Sequence, residues 1–84
     1  MELELDNFYF KPTVLKGTPG LKLKIELSNE GSTLHNFTLE AQSIDQDVQS
    51  ETKSDVTVTF SQSGFLEFFC KYHKGLGMVG ELST

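Results

Sequence analysis

The chain has 84 residues, twelve acids against seven lysines with no arginine, a formal net charge of −5 and a single cysteine. That length supplies one core, so residues 1–84 are expected to form a single domain, and a lone cysteine excludes an internal disulfide. An acidic surface without arginine argues against nucleic acid and anionic lipid as partners, and no apolar run nears the roughly 20 residues that span a bilayer.

Hydrophobic periodicity predicts strands throughout. Leu3 and Leu5 alternate with Glu2, Glu4 and Asp6 as an opening strand, and Phe8 and Phe10 extend a second short apolar set to Pro12. Gly17-Thr18-Pro19-Gly20 reads as a turn by its Pro and Gly chemistry. Leu21, Leu23, Ile25 and Leu27 then alternate with Lys22, Lys24, Glu26 and Ser28, which gives one apolar face, and Asn29-Glu30-Gly31-Ser32 closes that strand. Phe37 and Leu39 mark the next strand.

The polar segment Gln42 to Ser54, with only Ile44 and Val48 apolar, reads as a surface connection with room for one helical turn. Val56, Val58 and Phe60 form a further alternating strand, followed by a turn at Ser61-Gln62-Ser63-Gly64. In Phe65 to Cys70 the adjacent Phe68 and Phe69 predict a strand covered on both faces near its end, an apolar shell that keeps water from Cys70. Short strands with turns every eight to twelve residues or so predict an all-β fold, an antiparallel Greek-key β-sandwich.

The residues that carry chemistry sit around the end of that last strand. Cys70, His73 and Met78 have the spacing Cys-x2-His-x4-Met, and Gly75 and Gly77 let a tight loop gather them. His35, the only other histidine, lies half a chain upstream beside Asn36. Two imidazoles, a thiolate and a distant thioether are the donor set of a trigonal copper site, which suits both Cu(I) and Cu(II) and so favours electron transfer. Two His and one Cys also suit zinc, although a thioether has little use there. A nucleophilic Cys70–His73 pair lacks an evident oxyanion donor and leaves His35 and Met78 without a role. Asn36-Phe37-Thr38 matches a glycosylation acceptor pattern, which burial beside a metal ligand would disqualify.

The segment from Cys70 to Gly80 resembles the copper-binding loop of the cupredoxins, with the ligand spacing of plastocyanins. Gly31 to Phe37 resembles their first-ligand segment, and Phe8 to Pro12 with Gly20 to Leu23 is similar to their early strands. The resemblance implies His35, Cys70 and His73 as equatorial ligands and Met78 as the axial one. It implies Asn36 beside them, its backbone N–H aimed at the Cys70 sulfur and its side chain tying the two ligand loops together. Family members often carry Ser or Thr after the Cys and Pro before the second His, where this chain has Lys71 and Tyr72. The Asn36 side chain must then bond a backbone group or nothing.

On this reading the chain is a monomeric, non-enzymatic carrier of single electrons that binds one copper. It meets redox partner proteins through a small apolar patch of Leu34, Gly75 and Leu76 around His73, which Leu15 or Pro12 extends. Lys71 and Lys74 either steer an acidic partner or merely solubilise. The alternatives are a copper store or delivery module, a zinc-binding domain, and a metal-free interaction module. The start Met1-Glu2-Leu3-Glu4 is not a signal peptide. The resemblance implies work in the periplasm or outside the cell, as a mature or excised domain.

Overall fold

The computed structural model describes every residue from Met1 to Thr84. Nine strands are joined by turns: β1 (Glu2–Asp6), β2 (Tyr9–Lys11), β3 (Val14–Lys16), β4 (Lys22–Asn29), β5 (His35–Leu39), β6 (Ile44–Val48), β7 (Lys53–Thr59), β8 (Phe65–Phe69) and β9 (Val79–Ser83). They make a four-stranded sheet in the order β2-β1-β4-β7 and a five-stranded sheet in the order β3-β9-β8-β5-β6. Most ladders are antiparallel, as the closely spaced turns predict. Two pairings, β1 with β4 and β3 with β9, are parallel, so both sheets are mixed.

The alternation seen in the sequence becomes the inner lining of the sandwich. Leu3, Leu5, Ile25, Leu27 and Val58 from one sheet meet Phe37, Leu39, Phe68 and Leu82 from the other, all essentially inaccessible to water. Each such side chain contributes about 1.5–3 kcal/mol by leaving water. Phe68 stacks on Phe37 at 4.8 Å and meets Phe10 edge-on at 4.9 Å. Such ring pairs add about 0.5–1.5 kcal/mol each beyond their buried area. Cys70, two residues after Phe68, is buried in the same core cluster as these rings.

Two sequence expectations change. Part of the polar segment 42–54 is the edge strand β6, entered through a 3-10 turn at Glu40–Gln42, and its last residues begin β7. In β6 Ile44, Gln46 and Val48 face inward and Asp45 and Asp47 outward, so the period of two is present but Gln46 masks it. Phe69 is only half-buried, with the Lys74 ammonium 4.2 Å above its ring, so the end of β8 is covered by apolar core on one face only.

Register decides where the chemistry lands. β5 and β8 run antiparallel with Thr38 opposite Phe69, so continuing β8 brings Cys70 toward the start of β5, where His35 lies. β1 and β4 run in parallel with Leu5 opposite Asn29, so the β1–β2 turn and the loop after β4 emerge at the same end.

Candidate metal centre

Four segments converge at that end: the turn holding Asn7 and Phe8, the loop 30–34, Cys70 and the loop 71–78. One nitrogen of His35, one of His73 and the Cys70 sulfur lie within 4.8 Å of one another. His35 and Cys70 are fully buried, whereas His73 is half-buried. Cys70 Sγ is 3.4 Å from His73 Nδ1, and the imidazole rings meet edge-on with centroids 5.0 Å apart. The sequence pairing of His35 with the downstream loop is thus realised in space.

His35 carries the clearest sign of a missing partner. Its Nε2 lies 2.8 Å from Asn7 Oδ1, while its Nδ1 is buried with no hydrogen-bond partner. An orphaned buried nitrogen costs about 1–3 kcal/mol, so it marks a place where another group belongs. Burial, reinforced by the neighbouring His73, pushes the His35 imidazole below its ordinary value of 6.5 against a weaker opposing pull from Asp6. The neutral form, which ligates metals, is therefore favoured.

The downstream loop is built from its own backbone. Cys70 N–H donates to Met78 O at 3.1 Å, His73 N–H to Cys70 O at 3.1 Å, and Met78 N–H to His73 O at 3.3 Å. A 3-10 turn at Lys74–Leu76 ends on Gly77, whose φ of 84° is left-handed. Gly77 therefore supplies the conformational freedom expected of the loop, whereas Gly75 has no positive φ. Met78 is fully buried and pinned by its backbone to both Cys70 and His73.

Asn36 joins the two halves. Its Oδ1 accepts from the Lys71 backbone N–H at 3.2 Å, so the tie between ligand loops does use a backbone group. Its amide nitrogen donates to Asp45 Oδ1 at 2.8 Å and Asp47 Oδ1 at 2.9 Å. Lys71 Nζ pairs with Asp45 at 3.0 Å and the Tyr72 hydroxyl donates to Asp47 at 2.8 Å. The Asn36 amide, then Lys71, hold the Asp45 carboxyl below its usual range, and Asp47 raises the Tyr72 phenol. The residues that depart from the family pattern are thus members of one polar brace. The polar neighbour of the Cys70 sulfur is His73 Nδ1 at 3.4 Å, and the Asn36 N–H makes no hydrogen bond to it. Asn36 is fully buried, which removes the glycosylation reading.

His73 is flanked by the exposed Lys71, Tyr72 and Lys74. Leu76 is 64% exposed, Gly75 is exposed and Leu34 half-buried. Leu15 sits in the core on β3 and does not reach this surface. Lys71 and Lys74 already face acids, Asp45 at 3.0 Å and Glu67 at 3.6 Å, which favours a solubilising and bracing role over steering. Sequence reasoning missed Phe8, whose ring lies 4.7 Å from that of His73, and also Asn7, Asp45 and Asp47. For Asp45 and Asp47 the alternation of Ile44 to Val48 is a signal that Gln46 masks; for Asn7 there is none.

The Cupredoxin-like domain family model matches residues 1–82. Among curated protein sequences none matches significantly. Among solved structures, the chain is similar to the oxidised form of plastocyanin from Dryopteris crassirhizoma, with 25% identity, a TM-score of 0.74, and 99% and 98% of the two chains covered. It is similar to auracyanin B at 16% identity and a TM-score of 0.82, covering 99% of this chain and 86% of that one. A chain of a heme-copper terminal oxidase dimer matches at 18% identity and a TM-score of 0.80, covering 99% of this chain and 62% of that one.

Proposed function

Since the chain belongs to the cupredoxin-like domain family, we propose that residues 1–84 are one such domain, a mononuclear type 1 copper protein that carries single electrons between redox partners. The family binds one copper, and His35, Cys70 and His73 are positioned to form a metal site. Copper, when bound, would supply the one-electron Cu(II)/Cu(I) couple. His35, Cys70 and His73 would hold it, with Met78 as a further, weaker ligand. The observation that carries the reading is the buried, unpartnered His35 nitrogen in a cluster with a thiol and a second imidazole.

The surrounding residues suit electron transfer. The Phe37–Phe68 platform and buried Met78 exclude water and keep the local dielectric low. Two folded strands and the Asn36 tie fix the donors beforehand, which favours small rearrangement between oxidation states. Half-buried His73 is the port, and Leu34, Gly75, Leu76 and Phe8 form the apolar rim against which a partner docks briefly. Such contacts are small, with less than about 1,200 Å² buried. Buried Met78 favours copper over zinc, because a thioether is a soft ligand.

We place this work in the periplasm or outside the cell, as membership of the cupredoxin-like family suggests. No helix is long and apolar enough to cross a membrane. The test is cyclic voltammetry of the copper-loaded protein. A carrier gives a fast, reversible one-electron wave; slow or irreversible exchange with tight copper binding would make it a store or delivery module.

A further inference from the structure

His35 is oriented from behind by a side chain distant in sequence. Asn7, in the β1–β2 turn, places Oδ1 2.8 Å from His35 Nε2. Its own amide nitrogen donates to Ser32 Oγ at 2.8 Å, and the Thr33 hydroxyl donates to the same Oδ1 at 3.4 Å. Its backbone N–H is held by Asp6 Oδ1 at 2.8 Å. Gly31 leaves the space for this contact: a Cβ there would fall 2.7 Å from His35 Nε2 and closer still to Asn7 Oδ1.

An amide oxygen only accepts, so His35 Nε2 must carry the hydrogen and donate it. In the neutral ring that leaves the lone pair on Nδ1, the buried atom without a partner. We propose that Asn7 is a positioning residue that fixes His35 as the Nε2–H tautomer and offers Nδ1 to the metal before any metal arrives. The inference rests on the copper reading for its purpose, but its first consequence belongs to the metal-free protein. A hydrogen bond on the far nitrogen both sets the tautomer and holds the ring, and losing such a partner typically costs about 10–100-fold in metal affinity.

The test compares the wild type with Asn7→Leu and Asn7→Asp. The His35 tautomer is read by nitrogen-15 NMR of the metal-free proteins, and Cu(II) affinity by competition with a chelator. The wild type should show a single Nε2–H tautomer. Asn7→Leu should mix the tautomers and weaken Cu(II) binding about 10-fold or more. Asn7→Asp keeps an oxygen acceptor and should restore both. A wild-type Nδ1–H tautomer, or Asn7→Leu with tautomer and affinity unchanged, overturns the proposal even if thermal stability falls. Should Asn7→Leu fail to fold, Ser32→Ala, which frees only the Asn7 amide, takes its place. A partial shift of tautomer then supports the proposal and an unchanged one overturns it. If the wild type takes up no copper, the copper reading fails while the tautomer comparison still decides the role of Asn7.

Discussion

The two halves of the site are held by different means. His35 is fully buried at the start of β5, and the loop before it is clamped by side chains. Asn29 donates to Thr33 O at 2.9 Å and Val48 O at 2.8 Å and accepts from Gly31 N–H at 2.8 Å, while Asn7 backs the ring. The Cys70–Met78 loop is mostly exposed, turns on its own backbone bonds, and leaves His73 half-open to solvent. One half is a fixed template; the other delivers a thiolate to the core and an imidazole to the surface. Under the proposed function, the contrast gives geometry to the upstream half and electron access to the downstream one.

The largest effect should come from removing the sulfur donor that the downstream half delivers to the core. Cys70→Ala should abolish the intense visible absorption at the red end that Cu(II) is expected to give with the wild type. Retention of that band would remove Cys70 from the site. Next is Gly31→Ala, which forces a methyl to 2.7 Å from His35 Nε2. It should cost about 1–3 kcal/mol of stability in denaturant unfolding and weaken copper binding together. A stable variant with normal copper affinity would mean that the upstream half is less rigid than its hydrogen bonds indicate.

Gly77→Ala probes the loop half. Its φ of 84° is unfavourable for alanine, but no atom lies within 4 Å of an added Cβ. The loss should be about 1–2 kcal/mol, from backbone strain alone. A larger loss would show the loop to be as tightly fixed as its partner.

A smaller effect concerns pH. The folded His35 has its pKa lowered from 6.5, chiefly by burial. The unfolded chain therefore binds a proton first as pH falls. Stability of the copper-free protein should be full above about pH 7, fall as pH drops through the unfolded value, and level off below the folded one. His35→Gln should flatten that segment of the profile, as measured by chemical denaturation across the range. In the copper-loaded protein, Met78→Leu should leave the colour and raise the potential; an unchanged or lower potential would count against axial ligation.

How much of this was legible depended on the kind of signal. Alternation in Leu3–Leu5, Leu23–Leu27 and Val56–Phe60 exposed the sandwich, because a half-buried strand must repeat every second residue. The Cys70–His73–Met78 spacing and a lone upstream His35 exposed the candidate donors, of which His35, Cys70 and His73 gather within 4.8 Å of one another. The parallel pairings of β1 with β4 and β3 with β9 were hidden, since alternation is the same for either strand direction. Strand β6 was hidden by Gln46 at an inward position. Asn7 was hidden more deeply: its role comes from a contact 28 residues away that only the folded chain creates.

The central claim is that this end of the sandwich takes copper with two imidazoles and a thiolate. X-ray absorption at the copper edge of the Cu(II)-loaded protein tests it most directly. The account predicts one copper per chain with two nitrogen scatterers and one short sulfur. A shell of nitrogen and oxygen alone, without the Cys70 sulfur, would contradict it.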